Sequence, residues 1–332
     1  MIRSLVVPAL TTLIVACVGS VGLASGAAEE AGKLPRIGLV VGADPVIGKP
    51  YVEAFRRGLR EFGYVDGTSV TVFTRYASGD HTRYRALLSE LIGLHVDVLV
   101  VTTAAVRPAL EATKTIPIVC PALGSDPVGE GLVSSLARPG TNITGLYSLG
   151  PETDSKRLQL TRETVLALKR AALLFEASDP GWINDAKALR SLANNVGVML
   201  TTYGVRNLAE MQSAFADIDK KPVQALIVFN APLTNVYREA VMNYAATHRV
   251  PVIGEGKDWA EAGALLAYSA DYIDMYRQSA AYVHKILSGA KPGELPIAQP
   301  TKFELFINLK SAKRLGITMP ESILLRADEV IR

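Results

Sequence analysis

DVLVVTTAAVRPALEATKTIPIVCPALGSDPVGEG, residues 97–131, is the stretch whose reading decides the fold. An apolar strand at 96–101 ends in a small hydroxyl pair, Thr102 and Thr103, at the mouth of a helix expected from about 104 to 113. A second apolar strand follows at 116–120, and a loop occupies 121–131. Strands joined by a helix of this length form a parallel unit, and their ends emerge on one edge of the sheet. There the free N–H groups of a helix start and the side chains of the next loop can hold a small polar ligand. Thr102, Thr103 and Ala104 are the candidates at this edge. Simple capping of the helix is the alternative reading of either hydroxyl.

Outward from this unit the same alternation continues. Upstream, a strand at 36–41 leads to a helix at 51–62 with Phe55, Leu59 and Phe62 at helical spacing and Gly63 as its stop. A strand at 69–75 and an amphipathic helix at 81–92 complete a first lobe. RPGTNITGLYSLG at 138–150 then breaks the pattern with Pro139 and three glycines. Alternation restarts at 152, with strands expected at 170–175, 198–203, 225–229 and 250–253 and helices between them, one of them at 235–248. From Gly263 the pattern suggests that the chain crosses back, with a strand at 264–269, a helix at 271–287, a proline-rich connector at 291–300, a strand at 302–308 and a short helix at 310–315. The expected fold is α/β: two doubly wound parallel-sheet lobes joined by a hinge, 34–143 plus about 271–298 forming one and 144–270 plus about 299–332 the other.

Composition limits the functions open to such a chain. With 332 residues, 49% apolar and 20% charged, it can bury two cores. The net charge of +3 falls to +2 without a leader that carries Arg3 and no acid, and there is no basic run, so nucleic-acid binding is not expected. Residues 1–28 read as an export signal: a positive start, an apolar run from Leu5 to Val18 and small residues before Glu29. Within it, Ile14-Val15-Ala16-Cys17 is similar to a bacterial lipobox that would make Cys17 a lipidated first residue; ordinary cleavage after Gly26 or Ala28 is the alternative. Both put the mature chain in the periplasm, on the outer side of the inner membrane. Cys120 then has no partner for a disulfide and reads as a buried, inert thiol.

Catalytic and metal signatures are weak. GADPVIGKP at 42–50 is superficially like a phosphate-binding loop, but has one residue too many before Gly48-Lys49 and Pro50 where Ser or Thr is needed. His81, His95, His248 and His284 lie far apart at no zinc spacing and read as surface or packing residues. There is no GxSxG elbow, no cysteine pair for racemisation and no His-Glu metal helix, so no enzyme, no metal and no cofactor is expected. Polar residues instead cluster where strands end, which suits recognition of a small molecule. Asp126 is a candidate partner for an ammonium group, or else a turn residue before Pro127. Asn230, Glu255 and Asp258 are candidates in the second lobe, and Asp271 is either a contact or a helix cap. Tyr51, Tyr147 and Trp259 supply an aromatic wall or pack between elements. A helix start favours a carboxylate and the acids favour a cation, so the expected ligand is a zwitterion.

Three stretches carry a family resemblance: EAFRRGLREFGYVDG (53–67), the IPIV strand followed by GSDPVGEGLVSSLARPGTNITG (124–145), and QPTKFELFINLKSAKRLGITMPESILLRADEVI (299–331). Over 36–331 the chain resembles bacterial ABC-transporter substrate-binding proteins with a type I periplasmic-binding-protein fold, the group related to tryptophan and tyrosine import receptors. It departs from the pattern at Cys120, where a larger apolar residue is common, and its 229–232 and 254–259 loops fall where the family varies. The resemblance implies a monomeric protein that captures an amino acid or related carboxylate and delivers it to an ABC permease in the inner membrane. A ligand-sensing partner of a membrane receptor is the alternative.

Overall fold

In the computed structural model, which describes residues 33–332, the first sheet is built from β1 (Arg36–Val41), β2 (Thr71–Tyr76), β3 (Val98–Val101), β4 (Ile118–Leu123) and β5 (Ile143–Tyr147). Their order is β2-β1-β3-β4-β5, all parallel. Every residue of β3 is buried, because helices cover both faces and leave no strand side to water. The export segment and lipidation site expected within 1–28, Cys17 included, lie outside the described residues.

The helices of this lobe begin with α1 (Pro45–Glu61), followed by α2 (Tyr84–Gly93) and α3 (Val106–Ala112). α1 starts six residues earlier than its apolar spacing predicts, inside the glycine-rich stretch that mimics a phosphate loop. Asp44 explains this: its carboxylate accepts hydrogen bonds from the amides of Val46 and Ile47, and Pro45 at the first turn needs no partner. Asp44→Ala is expected to cost about 1 kcal/mol of stability, read as a lower urea midpoint at unchanged slope. The expected helix after β3 opens instead as a tight 3-10 turn, Thr103–Ala105, before α3.

The second sheet holds β6 (Arg170–Glu176), β7 (Met199–Val205), β8 (Ala225–Val228), β9 (Val252–Gly254), β10 (Leu266–Ala270), β11 (Phe303–Asn308) and β12 (Glu329–Ile331). The order is β12-β11-β10-β9-β8-β6-β7, and only the β10–β11 pair is antiparallel. Its helices are α4 (Gly150–Thr164), α5 (Pro180–Asn195), α6 (Leu208–Lys220), α7 (Pro232–Val236), α8 (Arg238–His248), α9 (Lys257–Glu261) and, after the crossing, α11 (Leu309–Leu315) and α12 (Glu321–Leu324). The single helix expected at 235–248 is two, broken at Tyr237.

Between β10 and β11 the chain returns to the first lobe as α10 (Tyr272–Leu287), which packs along α1. A Cβ at Gly58 would overlap the carbonyl of Arg277, so the glycine permits this close approach of backbones. Phe55 and Leu59, both fully buried in the same seam, each contribute about 1.5–3 kcal/mol of burial. Ala298 bridges to Leu146 beside β5. The boundary expected at 143/144 is corrected by β5, which pairs with β4 and carries the first sheet on to Tyr147.

Candidate functional site

A cleft lies where the strand ends of the two sheets converge, lined by aromatic rings and a few convergent polar groups, the make-up of a small-molecule site. Of the residues singled out in the sequence, Tyr51, Thr102, Thr103, Ala104, Asn230 and Glu255 line it. Thr102 does not cap through its side chain. Thr103 spends its hydroxyl proton on the carbonyl of Ala122, which ties the 3-10 turn to the end of β4. The amides of Thr103 and Ala104, first in that turn, have no helical carbonyl to bond.

On the opposite wall the controlling residue is Arg157, which the sequence reading missed. It stands on α4, 1% exposed, and its Nη2 meets Asp154 Oδ1 and, at 2.9 Å, Glu255 Oε1. Nη1 donates to the carbonyl of Tyr268 at 3.2 Å, and the guanidinium lies 5.9 Å from the Phe229 ring centre. Glu255 is therefore committed: Oε1 also accepts from the Asn230 amide at 3.0 Å, and Oε2 from the Tyr272 hydroxyl at 2.9 Å. Asn230 in turn accepts from Asn235 at 2.6 Å. The signal for Arg157 was available, since Asp154, Arg157, Leu158 and Thr161 share one buried helical face.

Asp185 on α5 is the carboxylate left without a cation. It accepts from Ser125 Oγ across the cleft at 2.7 Å, and among the described residues no Lys, Arg or His pairs with it. Burial pushes its pKa up to about 6, and Glu130 and Asp179 add like charge. Rings flank the acid-rich floor. Tyr51 lies against Tyr276, centroids 5.1 Å apart, and Trp182, Phe229 and Tyr272 complete the aromatic lining. Desolvation raises the Tyr51 and Tyr276 hydroxyls far above their ordinary value, so both are neutral donors.

Five sequence candidates are not brought to the cleft. Asp126 is exposed and accepts from the Val128 amide at 3.0 Å, the turn role that a residue before proline favours. Asp258 sits in the first turn of α9, 3.7 Å from Arg238. Asp271 caps α10 through the Asp274 amide and pairs with Lys302, each at 2.9 Å. Tyr147 is buried in the first-lobe core. Trp259, 1% exposed, stands one layer back, where its Nε1 donates to Asn235 Oδ1 at 3.0 Å. Cys120 is fully buried, its thiol pushed up to about 12 by desolvation, so it offers no nucleophile at neutral pH.

Two lobes around a cleft of this make-up match a known group across most of the chain, with residues 48–331 corresponding to the ABC transporter substrate binding protein family. The chain belongs to that family. A tyrosine-binding protein of Clostridioides difficile is 23% identical over 288 residues, 83% of this chain and 81% of that protein. The L-Trp complex of an ABC domain from Streptococcus pneumonia superimposes with a TM-score of 0.83 at 25% identity, covering 90% of this chain and all of that one (100%). A conserved domain protein from Vibrio cholerae gives a TM-score of 0.84 at 28% identity over the same 90% of this chain and 100% of that one. This binding protein thus shares its two-lobed α/β fold with the L-Trp complex of that ABC domain, and its family role is binding.

Proposed function

We propose that this substrate-binding protein captures a small amine-bearing ligand of the amino-acid class, with an aromatic or bulky apolar body, and delivers it to an ABC permease. The carrying observation is Asp185, a desolvated carboxylate in an aromatic cleft with no cation of its own. The lining holds three carboxylates, Asp154, Asp185 and Glu255, and one guanidinium, that of Arg157, which only Asp154 and Glu255 contact, so the cleft has a deficit of positive charge that a ligand ammonium fills. The unbonded amides of Thr103 and Ala104, on the other lobe, donate to the ligand carboxylate. Tyr51, Tyr276 and Trp182 bracket its side chain. The tyrosine and tryptophan named for the relatives fit the same frame. The protein works as a monomer on the outer side of the inner membrane, free or held by a lipid at Cys17.

Calorimetry against L-tyrosine, L-tryptophan, tyramine, 3-(4-hydroxyphenyl)propionate and glucose tests this reading. The two amino acids are expected to bind most tightly, and X-ray scattering of their complexes to show a smaller radius of gyration than the ligand-free protein. Glucose or the deaminated acid binding as tightly as the amino acids would overturn it.

A further inference from the structure

Away from the cleft lining, one ionisable pair joins the two lobes directly. His81 begins the 3-10 turn His81–Arg83 in the first lobe, a turn fixed by Asp80, which accepts from the Thr82 amide at 2.9 Å and its hydroxyl at 2.7 Å. The imidazole stands edge-on to Tyr84, centroids 5.2 Å apart, and its Nε2 meets Oε1 of Glu176 at the end of β6 in the second lobe. Glu176 is fully buried, and its other oxygen accepts from the Leu233 amide at 3.1 Å. Neither His81 nor Glu176 lines the ligand cleft.

The surrounding surfaces show that this is a contact of closed lobes. A Cβ at Gly42 would stand 2.7 Å from Pro232 Cγ, and one at Gly79, where φ is +77°, would stand 2.8 Å from Val236 Cγ2. Both glycines belong to the first lobe and both partners to α7, so the lobes meet here at van der Waals distance with no room for a larger side chain. The Tyr84 hydroxyl is buried beside them, and burial together with the Glu176 charge holds it far above its ordinary value. Tyr84 therefore stays neutral and offers Glu176 no compensating charge.

We infer that the His81–Glu176 pair is a latch that sets how long the lobes stay closed on a ligand without touching the ligand itself. When the lobes part, both groups gain water; when they close, Glu176 Oε1 is dehydrated and His81 is what answers it. A carboxylate dehydrated without a partner strongly disfavours the state that buries it. Removing His81 therefore penalises the closed state selectively, and neutralising Glu176 as well lifts that penalty. The inference rests on the reading of this protein as a closing receptor.

The test is stopped-flow binding of L-tyrosine to the full chain and to its Glu176→Gln, His81→Gln and doubly substituted forms. Dissociation is expected to quicken about tenfold in His81→Gln with association nearly unchanged, while Glu176→Gln stays nearer the natural rate and the double variant recovers most of the loss. A general structural defect would instead add across the two sites and slow association, and an unchanged urea midpoint for the protein substituted at part-exposed His81 excludes loss of fold. Unchanged dissociation in His81→Gln, or additive effects, would overturn the latch. If L-tyrosine fails to bind the natural protein, the ligand assignment falls, while the latch is still read from the dissociation of whichever compound of the calorimetric panel does bind, with the same two outcomes.

Discussion

Replacing Arg157 by leucine is expected to remove about 3–5 kcal/mol of stability and with it all measurable ligand binding. The side chain is 1% exposed, and the side chains of Asp154 and Glu255 against it are 6% and 9% exposed. Deleting the guanidinium leaves two carboxylates facing each other away from water, and the Tyr268 carbonyl loses its donor as well. Lysine does not restore the arrangement, because one ammonium cannot reproduce the planar fork that serves two carboxylates and a carbonyl together. Arg157→Lys should therefore fall between the natural protein and Arg157→Leu in urea unfolding. Neutralising both acids in the Arg157→Leu background should recover much of the loss, since the penalty lies in the orphaned charges. A loss below about 1 kcal/mol in Arg157→Leu would show that water reaches these groups and that the buried description is wrong.

The difference between what the sequence disclosed and what it withheld follows from the range of the interactions. β1, β3 and β8 are short apolar runs whose burial is a local property of composition, and their alternation with helices is enough to establish a parallel α/β fold in two lobes. Thr102, Thr103, Ala104 and Asn230 were found because strand ends in such a fold face the cleft. Charged residues obey no such rule. Asp126 and Asp258 look equivalent to Glu255 in sequence, yet Asp126 is consumed by its own turn and Asp258 pairs with Arg238, while Glu255 is turned inward by Arg157 from a helix about a hundred residues earlier. Asp185 is within a helix, away from the loops at strand ends where the fold class puts ligand contacts. Trp259 shows the converse error, an aromatic residue near the cleft in sequence that supports it from behind.

Asp185→Asn is expected to weaken binding of L-tyrosine or L-tryptophan roughly ten- to a hundredfold, because a charge-assisted hydrogen bond to a desolvated carboxylate is worth about 1.5–3 kcal/mol. The fold should survive this change, since the amide can still accept from Ser125 Oγ and is isosteric with the acid. The same residue gives the binding a pH dependence whose sign is determined. In the closed cleft without a ligand the Asp185 carboxyl is pushed up to about 6, first by burial and then by its acidic neighbours Glu130, Asp179 and Glu255. A bound ammonium pulls that value down, so binding expels a proton at pH values below about 6. Affinity should thus be level above that pH and fall as the solution is acidified through it, with proton release visible as a buffer-dependent calorimetric enthalpy. Stability of the ligand-free protein moves the other way. The folded state binds the Asp185 proton more tightly than the unfolded chain does, so acidification from about 6 toward the ordinary carboxylate range stabilises it, and Asp185→Asn erases that contribution. Glu130, also raised by burial, shares the stability trend but lies outside the cleft lining, so only the Asp185 substitution should flatten the affinity profile. An Asp185→Asn protein with unaltered affinity, or a natural protein whose affinity is level through this pH range, would remove Asp185 as the ammonium anchor.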